Sequence, residues 1–135
     1  MSFVGGRLQV GIVPRDLETS LTFYRDVLGL PYTDTRPALE GRTLHLFALG
    51  DVVVKLLESP TPPRATAGAG PYAERTGIRW VTLDVTDLDA VIARCDAAGA
   101  TIQMPLVTIR AGVRVAIVED PDGNAFELVE RTPTS

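Results

Sequence analysis

EDPDGNAFELVE, residues 119–130, joins a turn to a strand, and the chain around it is built to match. Asp120, Pro121, Asp122, Gly123 and Asn124 are five turn formers in a row. Proline presets φ, glycine supplies φ > 0, and Asp and Asn bond to nearby backbone. Ala125–Phe126–Glu127–Leu128–Val129–Glu130 then reads as a strand. Its period of two puts Phe126 and Leu128 on one face and Ala125, Glu127 and Val129 on the other. Phe126 and Leu128 suit a core, so Glu127 faces away from it. A carboxylate between apolar neighbours is costly to bury alone, so it calls for a metal, a cation or a ligand.

Upstream of this stretch, residues 79–85 (RWVTLDV) predict a strand with Val81, Leu83 and Val85 on one face and Trp80, Thr82 and Asp84 on the other. Thr86 or Asp87 caps a helix whose stripe is Leu88, Val91, Ile92 and Cys95, and Gly99 ends it. Cys95 on that stripe reads as a buried structural thiol. Residues 102–108 and 113–118 are two further strands.

The same order occurs earlier in the chain. Residues 8–13 (LQVGIV) form a strand with Val10 and Ile12 on one face and Gln9, Gly11 and Val13 on the other. Asp16 caps a helix with the stripe Leu17, Leu21, Tyr24 and Leu28, stopped at Gly29. Residues 31–39 are a loosely patterned strand, with Pro37 hinting at an edge or a bend. Residues 42–49 and 52–58 form a hairpin around Gly50–Asp51, a pair suited to a primed two-residue turn. That turn pairs Leu46 with Lys55 and His45 with Leu56, which puts His45 on the face opposite Lys55 as a surface or core histidine. Gln9 to Lys55 spans 46 residues and Trp80 to Glu127 spans 47. The chain is therefore an internal βαβββ repeat with a first module at 8–58 and a second at 78–131. Two such units each bury one sheet face under a helix and curl the other faces around a cleft. Residues 59–77, rich in proline and glycine and without a periodic apolar face, are a linker or mobile loop long enough to have a function.

At 135 residues the chain suits one compact domain, or two small modules sharing a core. It has no apolar run near the ~18 residues of a membrane helix, so no membrane partner is expected. A net charge of −4 and the lack of any Lys/Arg cluster argue against nucleic acid. The opening MSFVGGRLQV has no basic start followed by a long apolar stretch, so no signal peptide is expected. One cysteine excludes an internal disulfide and fits the cytoplasm.

VGIVPRDLETSLTFYRDVLGL, VTLDVTDLDAVIARCDAAGA and DPDGNAFELVE, in that order and with the repeat, resemble the vicinal oxygen chelate superfamily of glyoxalases, bleomycin-resistance proteins and extradiol dioxygenases. The resemblance covers residues 8–130. It implies an α+β fold of two βαβββ modules, with curled mixed sheets enclosing a cleft, as a single glyoxalase/bleomycin-resistance-like domain over residues 1–135. Metal-dependent members of that family carry His or Gln, Glu, His and Glu at four inward positions, which fall here on Gln9, Lys55, Trp80 and Glu127. Lys55 is a cation where a carboxylate is expected, and Trp80 has no lone pair for a metal. No metal and no cofactor are therefore expected.

The four residues make a different set. Lys55 and Glu127 hold related places in the two repeats, so their side chains are expected to converge, either as a structural salt bridge or as a general acid/base couple. In the second case Lys55 also holds a ligand carboxylate, phosphate or enolate. Trp80 either fills core or forms an aromatic wall for a planar or cationic ligand. Gln9 tethers ligand or holds Lys55. Two function classes follow. One is a metal-independent protein that binds or sequesters a small molecule, with Gln9, Lys55, Trp80 and Glu127 as its ligand contacts. The other is a metal-free isomerase, epimerase or lyase with Lys55 and Glu127 catalytic. A weaker third is a metal-dependent lyase or dioxygenase holding its ion through Gln9 and Glu127. The edges of eight short strands, together with the pairing common in the family, imply a homodimer.

Overall fold

The structure, a computed structural model, describes residues 5–6, 8–68 and 70–133. The opening stretch read above for a signal peptide lies partly outside them. The chain divides into two compact units, Met1–Thr66 and Ala67–Ser135. No helix among the described residues is long and apolar enough to cross a membrane.

The first unit contains β1 (Gln9–Ile12), α1 (Leu17–Thr22), β2 (Tyr32–Pro37), β3 (Thr43–Leu49) and β4 (Val52–Glu58). The second contains β5 (Trp80–Asp84), α2 (Leu88–Ala97), β6 (Ile102–Arg110), β7 (Val113–Glu119) and β8 (Ala125–Arg131). Each unit makes one four-stranded mixed sheet, in the order β1-β4-β3-β2 in the first and β5-β8-β7-β6 in the second. In each, the outer strand β1 or β5 runs parallel to the last strand and the remaining pairs are antiparallel. The repeat is kept to the residue: Gly11 stands beside Lys55 as Thr82 stands beside Glu127. The fold is thus two α+β modules of like topology.

The hairpin forms as its turn dictates. Gly50 takes φ 62° at the first of the two turn positions, Leu49 pairs with Val52, and the register places Leu46 opposite Lys55 and His45 opposite Leu56. Gly29 and Gly99 end their helices at φ 81° and 74°, where a side chain would be strained. Residues 31–39 yield a strand whose six residues are all exposed, an outer strand as Pro37 suggested.

Helix α1 departs from the simple stripe. After Thr22 it widens into a π-helical segment, Phe23–Val27, closed by the Leu28 N–H on the Phe23 carbonyl at 2.8 Å. The wider turn brings Phe23 and Val27 inward beside Leu21, Tyr24 and Leu28, while Leu17 stays half-buried. Tyr24, Phe47, Val54 and Leu56 are fully enclosed in the first unit, and Leu88, Cys95, Val118 and Phe126 in the second. Burial raises the Cys95 thiol pKa, in keeping with an inert structural cysteine.

The face opposite the helix is not uniformly open in the second unit. Val113, Val115 and Val129 form a buried cluster there with Met104 packed against it. Strand parity assigns that face to a cleft; the structure fills one end of it with the protein's own side chains.

Asp16 caps α1 as expected, accepting from the Glu18 N–H at 3.1 Å and from the Thr19 hydroxyl at 3.1 Å. Asp87 stands at the corresponding place before α2 but makes no capping bond with its side chain. Glu130 of β8 does that work instead, accepting from the Leu88 N–H at 3.0 Å. Arg114 bonds the same carboxylate across the β7–β8 ladder and reaches Asp89 at 2.8 Å, tying helix to sheet. The Arg114 guanidinium holds the Glu130 and Asp89 carboxyls below their ordinary values of 4.5 and 3.8, and its own pKa is raised in turn. Carboxylates with depressed folded-state pKa values contribute stability above their unfolded values and lose it as pH falls through the folded ones. Arg114→Met should therefore be less stable than the parent at neutral pH, and the gap should close on acidification to about pH 2. Urea unfolding at both pH values reads this out, and a gap as wide in acid as at neutrality would disprove it.

Candidate functional site

In the first unit, Gln9, Gly11, Val53 and Lys55 lie on the sheet face turned away from the helix-packed residues Ile12, Val54 and Leu56. Gln9 is exposed and Lys55 half-buried. Lys55 has Gly11 on its parallel neighbour and Leu46 on its antiparallel one. A methyl group placed on Gly11 would meet no atom within 4 Å, so the space beside the lysine stem is open. Within its unit, among the described residues, the Lys55 ammonium has no hydrogen-bond or ion-pair partner.

In the second unit, Trp80, Thr82 and Asp84 of β5 share a face with Ala125, Glu127 and Val129 of β8. The Thr82 hydroxyl donates to Glu127 Oε1 at 2.9 Å, which fixes one oxygen of the carboxylate. Ile117 is its neighbour on β7. Trp80 is 49% exposed, so it is not core filling.

Tyr72 lies in the 59–77 stretch, whose sequence has no periodic apolar face. It sits in a short 3-10 turn, Tyr72–Glu74, with its ring edge-on to Trp80 at 5.5 Å between centroids. Gln103 of β6 holds that turn, accepting from the Tyr72 N–H at 3.1 Å and donating to the Gly70 carbonyl at 3.4 Å. The Arg79 guanidinium donates to the Tyr72 carbonyl at 3.3 Å. A lone aromatic in a proline- and glycine-rich run was the one signal available.

Each unit therefore assembles half of the expected set: Gln9 with Lys55, and Trp80 with Glu127. Their donor chemistry does not suit a divalent metal. Lys55 brings a positive charge, the indole nitrogen of Trp80 has no lone pair to give, and one Glu127 oxygen is already occupied by Thr82. Within either unit, no group of three or more His, Cys, Asp or Glu among the described residues stands together as a metal set.

His45, the single histidine, lies on the helix side of its sheet, 8% exposed and opposite Leu56 as the hairpin register required. It is a core histidine held at both nitrogens. Nδ1 is 2.6 Å from the Tyr32 hydroxyl and Nε2 is 3.0 Å from Glu58 Oε1.

Residues 6–128 match the family model described as Glyoxalase/Bleomycin resistance protein/Dioxygenase superfamily. The chain belongs to that superfamily. The glyoxalase family protein from Bacillus cereus superposes with a TM-score of 0.80 at 18% identity, over 98% of this chain and 100% of that one, which shows the shared fold. The uncharacterized protein YaeR of Escherichia coli is 28% identical across 90% of this chain and 93% of its own. A protein named lactoylglutathione lyase from Haemophilus influenzae is 28% identical across 99% of this chain and 96% of its own. Superfamily membership explains the paired βαβββ modules. It leaves the ligand to be argued from the side chains present, since one fold hosts many activities.

Proposed function

We propose that this superfamily member is a metal-independent protein that binds or sequesters a small molecule, with Gln9, Lys55, Trp80 and Glu127 as its ligand contacts. The observation that carries the reading is Lys55, a half-buried lysine whose ammonium has no partner in its unit among the described residues, beside the open space over Gly11. A cation held on a sheet face with no protein carboxylate paired to it favours an arriving anionic oxygen. Trp80 and Tyr72 supply an aromatic wall, and the free side of Glu127 accepts a donor from the ligand. The ligand class is a planar aromatic acid, and the protein acts in the cytoplasm as a homodimer.

A thermal-shift screen of aromatic carboxylates, with and without added divalent metal, tests this. A ligand at 100 times its Kd stabilises by about 2.7 kcal/mol. We expect stabilisation by carboxylates that is indifferent to metal, absent in Lys55→Met and weakened in Trp80→Ala. Stabilisation that requires the metal, or that survives in Lys55→Met, would overturn the reading. Light scattering on the same sample reports the dimer, and a monomer mass at micromolar concentration removes that part. The second reading, proton transfer by Lys55 and Glu127, draws on the Glu127 oxygen that Thr82 leaves unoccupied. It predicts deuterium wash-in from D2O to a bound ligand, lost in Glu127→Gln.

A further inference from the structure

Glu58 and Glu130 hold the same place in the two repeats, each three residues after Lys55 or Glu127, yet they do different work. Glu130 is consumed by structure: it caps α2 through the Leu88 N–H and pairs with Arg114 across the ladder. Glu58 is excused from both tasks. Asp16 caps α1 from within the helix's own turn, and the residue opposite Glu58 on β3 is Thr43, not a cation. The place that is plugged in the second unit is left open in the first. There a groove of about 170 Å³ lies between the β1–α1 connection and the segment after β4, with walls that include Pro14, Leu17, Leu57 and Pro62. Glu58 lines it.

The Glu58 carboxylate is oriented from behind. An ionised carboxylate only accepts, so the His45 Nε2–H donates to Glu58 Oε1, and in the neutral imidazole Nδ1 accepts from the Tyr32 hydroxyl. A bulge in β2 makes this possible. Tyr32 pairs with Phe47 and Asp34 with Leu46, which turns Tyr32 onto the His45 face, where its ring stacks on Phe47 at 5.2 Å. His45 thus fixes Oε1, while Oε2 has no partner among the described residues. Arg15 also lines the groove, but it has a partner of its own and is not a free cation there.

We infer that this groove, which Lys55 does not line, is a second ligand site and that it takes a small organic cation. Its ammonium group meets Glu58, its apolar body packs on the proline and leucine walls, and His45 and Tyr32 are positioning residues. The volume suits a single ring, being close to that of a cavity of about 150 Å³ that binds benzene. Because the site lies within the first unit and on other residues, it stands or falls independently of the function proposed above.

The probe is benzylamine, with benzyl alcohol and benzoate as the neutral and anionic counterparts, followed by amide NMR on the full chain. We expect saturable shifts for benzylamine at Val13, Leu17, Ser59 and Thr61, with a change in the His45 ring nitrogen signals. Binding should weaken at least about tenfold in Glu58→Gln, the worth of one charge-assisted bond. His45→Gln, which cannot reproduce the imidazole's two-ended bonding, should weaken it less, and Tyr32→Phe should alter the His45 signals while benzylamine still binds. Absence of saturable shifts at those amides overturns the proposal, as does equal affinity for benzyl alcohol. A preference for benzoate assigns the groove to Arg15 and an anion instead. Parent-like binding in Glu58→Gln sinks the role of the carboxylate, and an unmoved His45 signal sinks that of the relay. Should Glu58→Gln fail to fold, the ranking of the three probes on the parent still decides.

Discussion

Phe126→Ala is expected to lower the free energy of unfolding by about 3–5 kcal/mol, a large part of the ~5–15 kcal/mol that a domain commands. Phe126 is fully buried at the centre of the second sheet, between Val81 on β5 and Val118 on β7 in the ladder. Truncation removes the transfer free energy of the ring and leaves a cavity that β-sheet neighbours on both sides cannot collapse to fill. Phe126→Leu keeps most of the volume and should cost under about 1.5 kcal/mol. Urea unfolding followed by circular dichroism measures both. A loss below about 1 kcal/mol for the alanine variant would show that the helix-covered face is not the core of that unit.

Asp120→Ala should come second, at about 2–3 kcal/mol, although no apolar contact is lost. Asp120 is 4% exposed and accepts from the Asp122 N–H at 2.9 Å, the Asn124 N–H at 2.8 Å and the Asn124 side-chain amide at 2.8 Å. Alanine strands two backbone donors in a turn whose geometry is further set by Gly123 at φ 85°. An unmade buried hydrogen bond costs more than a made one contributes, because the donor has given up water. Asp120→Asn keeps one oxygen, the atom that serves both backbone donors, and should lose only about 1 kcal/mol. Equal damage from the two variants would mean that charge, not the turn's hydrogen bonds, is what matters there. The same urea titration distinguishes the outcomes.

Period and turn chemistry were enough for the architecture. Leu46 opposite Lys55 and His45 opposite Leu56 follow from a two-residue loop at Gly50–Asp51, because side-chain parity in a hairpin is set once the loop length is known. The match of Gly11–Lys55 with Thr82–Glu127 follows from the repeat in the same way. Those two local rules placed Gln9 and Lys55 on one face, and Trp80 and Glu127 on another, without any knowledge of contacts.

What parity does not cover is any residue whose place depends on a break in the period or on a partner far along the chain. Tyr32 meets His45 only because β2 bulges between Tyr32 and Asp34, and no turn residue announces a bulge there. Phe23 and Val27 turn inward through a π-helical turn that a period of 3.6 cannot represent. Asp87 looks like the better cap for α2, yet Glu130, 42 residues beyond Leu88, takes the N–H. Tyr72 joins Trp80 because Gln103, 31 residues later, pins its backbone. By itself the sequence determined the repeated βαβββ modules and the strand faces on which Gln9, Lys55, Trp80 and Glu127 lie, since these depend on period and turn chemistry over a few residues. The tertiary structure alone decided which carboxylate is consumed by capping, which is left at a groove, and which aromatic stands by Trp80, because those outcomes are competitions between groups that only folding brings within hydrogen-bond reach.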